Sequence, residues 1–271
     1  TNMKKAFLIV LEFVFTAFTV VFAQWVEQNP GVGSHFERIN CVNSTTCYLC
    51  GENGTMLKTI DGTNWIDKSN GIPGTIFLHQ LQALDSDTIF AYGDFNLYWT
   101  YDGGENWSET PSIIGGGPHF FLNSSIGYQN AGGDLYKTVD KGVTWNLVKT
   151  DGGGTAIYFV NENYGVIETT LMGTTTINKT LDGGENQTLA HQYTSTGAIT
   201  DIQMITPQIG YACSNDGKIL KTSDGGDSWV ELIHPFQNNA IFKSLDFINT
   251  SNGYVIGTQG KILKTTDGGN N

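Results

Sequence analysis

Thr222-Ser-Asp224-Gly-Gly226-Asp-Ser-Trp229 is one of six copies of a single phrase in this chain. The others are Thr59-Ile-Asp61-Gly-Thr-Asn-Trp65, Thr100-Tyr-Asp102-Gly-Gly104-Glu-Asn-Trp107, Thr138-Val-Asp140-Lys-Gly142-Val-Thr-Trp145, Thr180-Leu-Asp182-Gly-Gly184-Glu-Asn-Gln187 and Thr265-Thr-Asp267-Gly-Gly269-Asn-Asn271. Their aspartates stand 41, 38, 42, 42 and 43 residues apart. A fixed period of about 40 residues marks a stacked or radial repeat architecture.

The phrase reads as a turn. An aspartate accepts hydrogen bonds from backbone N–H groups two residues on, and glycine adopts angles that a Cβ forbids. The preceding threonine adds a hydroxyl, and the tryptophan opens the next strand with a large apolar surface to bury. On this reading Asp61, Asp102, Asp140, Asp182, Asp224 and Asp267 are turn-forming residues rather than catalysts, and Trp65, Trp107, Trp145 and Trp229 are packing residues.

Upstream of each box the chain alternates short apolar runs with Gly and Asn turns, as in Tyr211-Ala-Cys-Ser-Asn-Asp-Gly217-Lys-Ile-Leu-Lys-Thr222, which is strand patterning. A further run such as Leu245-Asp-Phe247-Ile brings the count to about four strands per period, the content of a propeller blade. The expected fold is all-β: a propeller of four-stranded blades with six visible repeats, hence six or seven blades.

With six boxes on one period, the chain resembles the Asp-box, or bacterial neuraminidase repeat, β-propellers from roughly Gln24 to Asn271. The form Gly-Tyr…Gly-x-x-Gly-x-Ile-x-Lys-Thr-x-Asp-Gly-Gly-x-x-Trp is most similar to the photosystem II stability/assembly factor-like propellers. The resemblance implies a binding or assembly role without a cofactor. Many carriers of the repeat are secreted bacterial proteins with no link to photosynthesis.

Residues 1–23 form a separate unit. Lys4 and Lys5 precede an apolar run from Ala6 to Phe22, and Ala23 stands before Gln24, the pattern of a cleaved secretory signal helix. Glu12 interrupts the run, which is short for a membrane span. The mature chain then carries 12 basic and 25 acidic residues, a formal charge of −13. Nucleic acid is excluded as a partner, because phosphate binding needs basic patches. The expected location is secreted, periplasmic or at the cell surface, with a protein or glycan of the cell envelope as partner.

Trp25 stands 40 residues before Trp65, where a preceding box would place its tryptophan, so the N-terminus reads as the last strand of a blade. Either Trp25 closes a six-bladed ring, which removes a free sheet edge, or the chain continues past Asn271 into a seventh blade. The stop inside the motif favours the second. Tyr98, Trp99 and Phe236 are weaker candidates for an exposed binding face, set against ordinary blade packing.

Export makes a disulfide plausible. Cys41 and Cys47 flank the hairpin loop 42–46 and form the favoured pair. Cys47-Tyr-Leu-Cys50 has the spacing of a redox or metal pair, but no second pair accompanies it, and Cys50 aligns with Cys213 as a packing position.

The repeats invite an enzymatic reading. Sialidases clamp their substrate carboxylate with three arginines, and this chain has one, Arg38; lysine does not reproduce the guanidinium fork. A xyloglucanase-like glycoside hydrolase, with two carboxylates across a cleft, is the alternative, although those enzymes build the cleft between two propellers. The expectation is a non-enzymatic module with no catalytic, cofactor or metal residues.

Overall fold

The computed structural model describes residues 31–43, 45–111, 116–171, 174–193, 197–236, 240–258 and 262–270. The expected signal helix (1–23) and Trp25 lie outside them. Six antiparallel sheets follow one another along the chain, each built from consecutive strands.

The first blade holds β1 (Phe36–Cys41), β2 (Cys47–Gly51), β3 (Met56–Thr59) and β4 (Ile66–Asp67). The second holds β5 (Leu78–Ala83), β6 (Ile89–Gly93), β7 (Asn96–Thr100) and β8 (Ser108–Pro111). The third holds β9 (Gly116–Phe121), β10 (Gly127–Ala131), β11 (Asp134–Thr138) and β12 (Asn146–Lys149). The fourth holds β13 (Ile157–Phe159), β14 (Gly165–Leu171), β15 (Thr174–Thr180) and β16 (Thr188–Tyr193). The fifth holds β17 (Ile199–Met204), β18 (Gly210–Ser214), β19 (Ile219–Thr222) and β20 (Val230–Glu231). The sixth shows three strands among the described residues: β21 (Phe242–Phe247), β22 (Gly253–Gly257) and β23 (Ile262–Thr265).

The described residues thus form a six-bladed β-propeller, and burial follows each strand's place in its blade. Second strands such as Ile89–Gly93 and Gly210–Ser214 are buried along their whole length. They lie between neighbouring blades on both faces, which is why they read as unbroken apolar runs rather than as alternation. Fourth strands such as Val230–Glu231 are exposed. First strands of successive blades lie side by side from β1 to β21 and surround the axis.

The core is a series of seams between blades. Tyr48, Cys50 and Met56 of the first blade pack on Leu78, Ile89, Ala91 and Tyr98 of the second. Tyr211, Cys213 and Ile219 of the fifth do the same against Phe242, Leu245, Phe247 and Val255 of the sixth. Tyr98 is therefore a buried core residue, and Trp99 and Phe236 are half-buried against neighbouring clusters.

Candidate functional site

The boxes act as built-in clamps. In all six, the threonine hydroxyl donates to the aspartate Oδ1 over 2.6 to 3.2 Å. That same hydroxyl accepts the amide of a box glycine, as from Gly226 over 2.8 Å. The aspartate's reach differs from the expected two residues. In the second to fifth boxes it accepts from the amide four residues on, at Asn106, Thr144, Asn186 and Ser228. The extra residue of these longer boxes lengthens the loop, and Gly225 and Gly226, at φ +73° and +78°, carry the chain through left-handed angles. In the shorter first box Asp61 accepts from Thr63 and Asn64 instead, and Asp267 takes Gly269 and Asn270.

These bonds favour the charged carboxylate. The Asn64 side chain and amide hold Asp61 well below the usual range, Thr100 and Asn106 do so for Asp102, and Ser228 holds Asp224 down to about 2. Thr144 and Asn186 act likewise on Asp140 and Asp182. A carboxylate committed in this way is a turn element and a poor general acid.

Box tryptophans insert backwards, against the preceding blade. Trp107 packs on the first blade and donates its indole N–H to the Lys68 carbonyl over 2.8 Å. Trp145 packs against Phe90 and Leu97 of the second blade, and Trp229 against Val166 and Ile177 of the fourth. Trp65 is half-buried. In the fourth box Gln187 donates to the Gly152 carbonyl over 2.7 Å, so the departure from tryptophan keeps the bond into the preceding blade.

A second repeated device went unread in the sequence. Each first hairpin is turned by one polar side chain that accepts two consecutive amides: Asn43, Asp85, Asn123, Asn161, Thr206 and Asn249. These are Asx and ST turns. Asn43, Asn123 and Asn249 stand in Asn-x-Ser/Thr triplets, and it is turn geometry that accounts for them. The signal was present as an Asn, Asp or Thr 17 or 18 residues upstream of the box aspartate in five of the six repeats, and 21 upstream in the fourth.

Cys41 and Cys47 face each other across the first hairpin and are bonded, with Cα atoms 4.0 Å apart. Cys50 and Cys213 are free and buried. Burial pushes the Cys50 thiol up to about 12 and the Cys213 thiol higher still, which suits packing rather than nucleophilic or metal chemistry.

Around the axis the six first strands enclose a cavity of about 650 Å³. Its wall is latched from strand to strand. Asn40 accepts the Ala83 amide over 2.8 Å. Gln82 both accepts the Phe121 amide and donates to its carbonyl, over 2.8 and 2.9 Å. Gln80 accepts the His119 amide, Thr200 donates to the Phe242 carbonyl, and Gln203 accepts the Phe247 amide. Asp201 accepts from Ser244 and the Leu245 amide over 2.7 and 3.0 Å. Burial pushes the Asp201 carboxyl up and these bonds pull it back. Neighbouring first strands make no ladder in these sheets, so side-chain amides supply the missing bonds.

Charge enters the cavity through Glu37, Arg38, Asp201, Lys243 and Asp246. Arg38 donates to the Glu37 carbonyl and carboxylate over 3.0 and 3.4 Å. His119 packs against Tyr92 and Trp145, and burial lowers its imidazole to about 3. Among the described residues no cluster of His, Cys, Asp and Glu has the make-up of a metal site.

The family model described as Photosynthesis system II assembly factor YCF48 matches residues 184–271, about a third of the chain. The chain is an Asp-box β-propeller similar to the photosystem II assembly factors. The solved structure titled "YCF48 bound to D1 peptide" superposes on this propeller with a TM-score of 0.66 at 18% identity, covering 90% of this chain and 84% of that one. Hsv2 of Kluyvelomyces marxianus superposes at 0.56 and 13% identity, covering 85% and 76%. YCF48 from Cyanidioschyzon merolae aligns at 17% identity over 86% and 95%, with a TM-score of 0.47. At these identities the likeness is one of fold. No curated protein matches this Asp-box propeller by sequence. No helix among the described residues is long and apolar enough to cross a membrane.

Proposed function

We propose that this Asp-box propeller is a non-enzymatic binding module that holds a segment of a partner protein, in the manner of an assembly factor. The observation that carries the reading is the latched channel wall. Asn40, Gln80, Gln82, Thr200, Asp201 and Gln203 are bonded to the backbone of the next blade. These six groups of the axial cavity therefore hold neighbouring blades together instead of standing ready for acid–base work. A ring so braced is a rigid frame for a ligand, and function on such a frame sits at the loops and the mouth of the channel. That the similar solved YCF48 is bound to a D1 peptide supports a polypeptide over a glycan.

The proposal includes export to the periplasm, the cell surface or the medium. The signal-like residues 3–23 and the Cys41–Cys47 bond support it, since disulfides persist in oxidising compartments.

The experiment pairs a peptide array and a glycan array with turnover assays on sialosides, xyloglucan and β-glucans. Peptide binding without turnover is the expected result. Turnover abolished by Asp201→Asn or Glu37→Gln would overturn the reading in favour of a glycoside hydrolase. Selective glycan capture without turnover would move the partner class from protein to carbohydrate.

A further inference from the structure

The hairpin between β6 and β7 takes a backbone shape that its residues resist. Gly93 pairs with Asn96, so Asp94 and Phe95 make up the whole turn, and both stand at positive φ, +45° and +71°. A two-residue hairpin demands such angles. The third blade meets the demand with glycine: Ala131 pairs with Asp134, and Gly132 and Gly133 turn at +64° and +92°. A phenylalanine in this region is strained by its own Cβ. Burial offsets little of that strain, since Phe95 is 61% exposed. A strained position that buries so little points to a side chain kept for what it presents.

The residues around the turn hold it in place. Asp94 accepts the Phe77 amide through Oδ2 over 3.2 Å, and its Oδ1 lies 4.0 Å from His79 Nε2. The Phe77 ring meets the His79 ring edge-on, with centroids 4.4 Å apart. The Asp94 carboxylate is thereby fixed next to Phe95 while remaining open to solvent. No lysine or arginine among the described residues forms an ion pair with it.

The turn stands at the mouth of the axial cavity. Tyr92 and Leu97, which flank it, both line that cavity. His79 occupies a β-bulge between Leu78 and Gln80, and the same bulge recurs at Glu37, Thr200 and Lys243, which line the cavity too. Bulges re-aim side chains, and this one leaves His79 beside Asp94.

We propose that Phe95 and Asp94 together anchor an arginine side chain of the partner segment, a role that rests on the ring holding a polypeptide. A guanidinium stacks on an aromatic face and donates to a carboxylate at its edge, whereas lysine brings the charge without the plane. The formal charge of −12 favours the approach of a basic segment. An arginine seated on Phe95 holds its segment across the mouth of the channel.

The test measures fluorescence anisotropy of labelled decaarginine and decalysine on the full chain. Decaarginine is expected to bind more tightly than decalysine. Phe95→Ala removes the ring and keeps the left-handed turn; it should weaken decaarginine by about fivefold and bring it level with decalysine. Asp94→Asn, which tolerates the same angle, should weaken it by about threefold. Glu185→Gln removes the same charge from the box of the fourth blade and should stay within about twofold of the parent. Phe95→Gly should lose the same binding as Phe95→Ala while raising the melting temperature by about 2 °C or more, because the strain is relieved. Unchanged binding in Phe95→Ala, or a loss in Glu185→Gln equal to that in Asp94→Asn, would overturn the anchor. An array peptide that binds the parent chain and Phe95→Ala equally sinks the anchor and leaves the peptide-holding reading in place. A parent chain that captures neither array peptides nor decaarginine takes both down.

Discussion

Tyr211 lies flat on Phe247 of the following blade, with ring centroids 3.7 Å apart and planes within 7°. Its hydroxyl passes beyond the stack to the Thr250 carbonyl. Phe90 on Phe121 and Tyr128 on Phe159 repeat the stack at 3.6 and 3.4 Å. The seams are thus held by one aromatic pair apiece where the repeat supplies it. Phe247→Ala is expected to cost about 3–5 kcal/mol, the range for truncating a buried aromatic. Urea unfolding measures this, with Phe95→Ala, an exposed loop position, as a control near zero. A loss below about 1 kcal/mol at Phe247 would remove the stack from the account of blade cohesion.

Thr222 is 1% exposed, and its hydroxyl serves two groups, the Gly226 amide and Asp224 Oδ1, each at 2.8 Å. Thr222→Val keeps the shape and strands a buried amide. The expected loss is about 1–3 kcal/mol, the desolvation cost of an unsatisfied buried group. Thr222→Ser should recover most of it. Equal losses in the two variants would mean that the methyl group, not the hydroxyl, matters.

Trp229→Ala empties the space between the fourth and fifth blades and should cost about 3–5 kcal/mol. Gln187, the residue at this place in the fourth box, reaches the Gly152 carbonyl instead. Gln187→Trp regains apolar burial and can remake that bond through the indole, as Trp107 does with Lys68. Thermal melts of both variants check the pair. A neutral Trp229→Ala would count against the box tryptophan as a packing element.

The boxes made the fold legible because their chemistry is local. Thr59, Asp61 and Gly62 lie within four residues of one another, so spacing alone reports the turn. The channel was illegible for the opposite reason. Gln82 meets Phe121 and Asp201 meets Ser244 across 39 and 43 residues, and a lone glutamine or aspartate in a half-polar strand carries no local mark of that partner. The hairpin residues Asn43, Asn123 and Asn249 fell between these cases. Their spacing from the box is nearly regular, but a lone Asn in a polar loop carries no mark of the two amides it accepts. The backward insertion of Trp107 into the first blade was unreadable as well, since the sequence shows which strand a tryptophan opens and not which blade its ring reaches.

Acid should weaken this propeller in two separable stages. His119, normally near 6.5, is lowered to about 3 by burial, and burial also lowers His191 and His234. An unfolded chain therefore takes up protons below pH 6.5 that the folded chain refuses, so stability falls as pH drops from 6.5 toward 3. The box carboxylates, normally near 3.8, are depressed, Asp224 to about 2. Their contribution is intact above pH 3.8 and is lost as pH falls through about 2. Asp201, raised by burial, runs the other way and partly offsets the second stage, because protonation relieves it. Melting temperatures between pH 7 and 2.5 should show a shallow fall and then a steeper one below about pH 4. His119→Gln should flatten the fall between pH 6.5 and 3, leaving the share of His191 and His234, and should leave the loss carried by the box carboxylates in place. An unchanged slope between pH 6.5 and 4 in that variant would mean that His119 is protonated without cost in the folded ring.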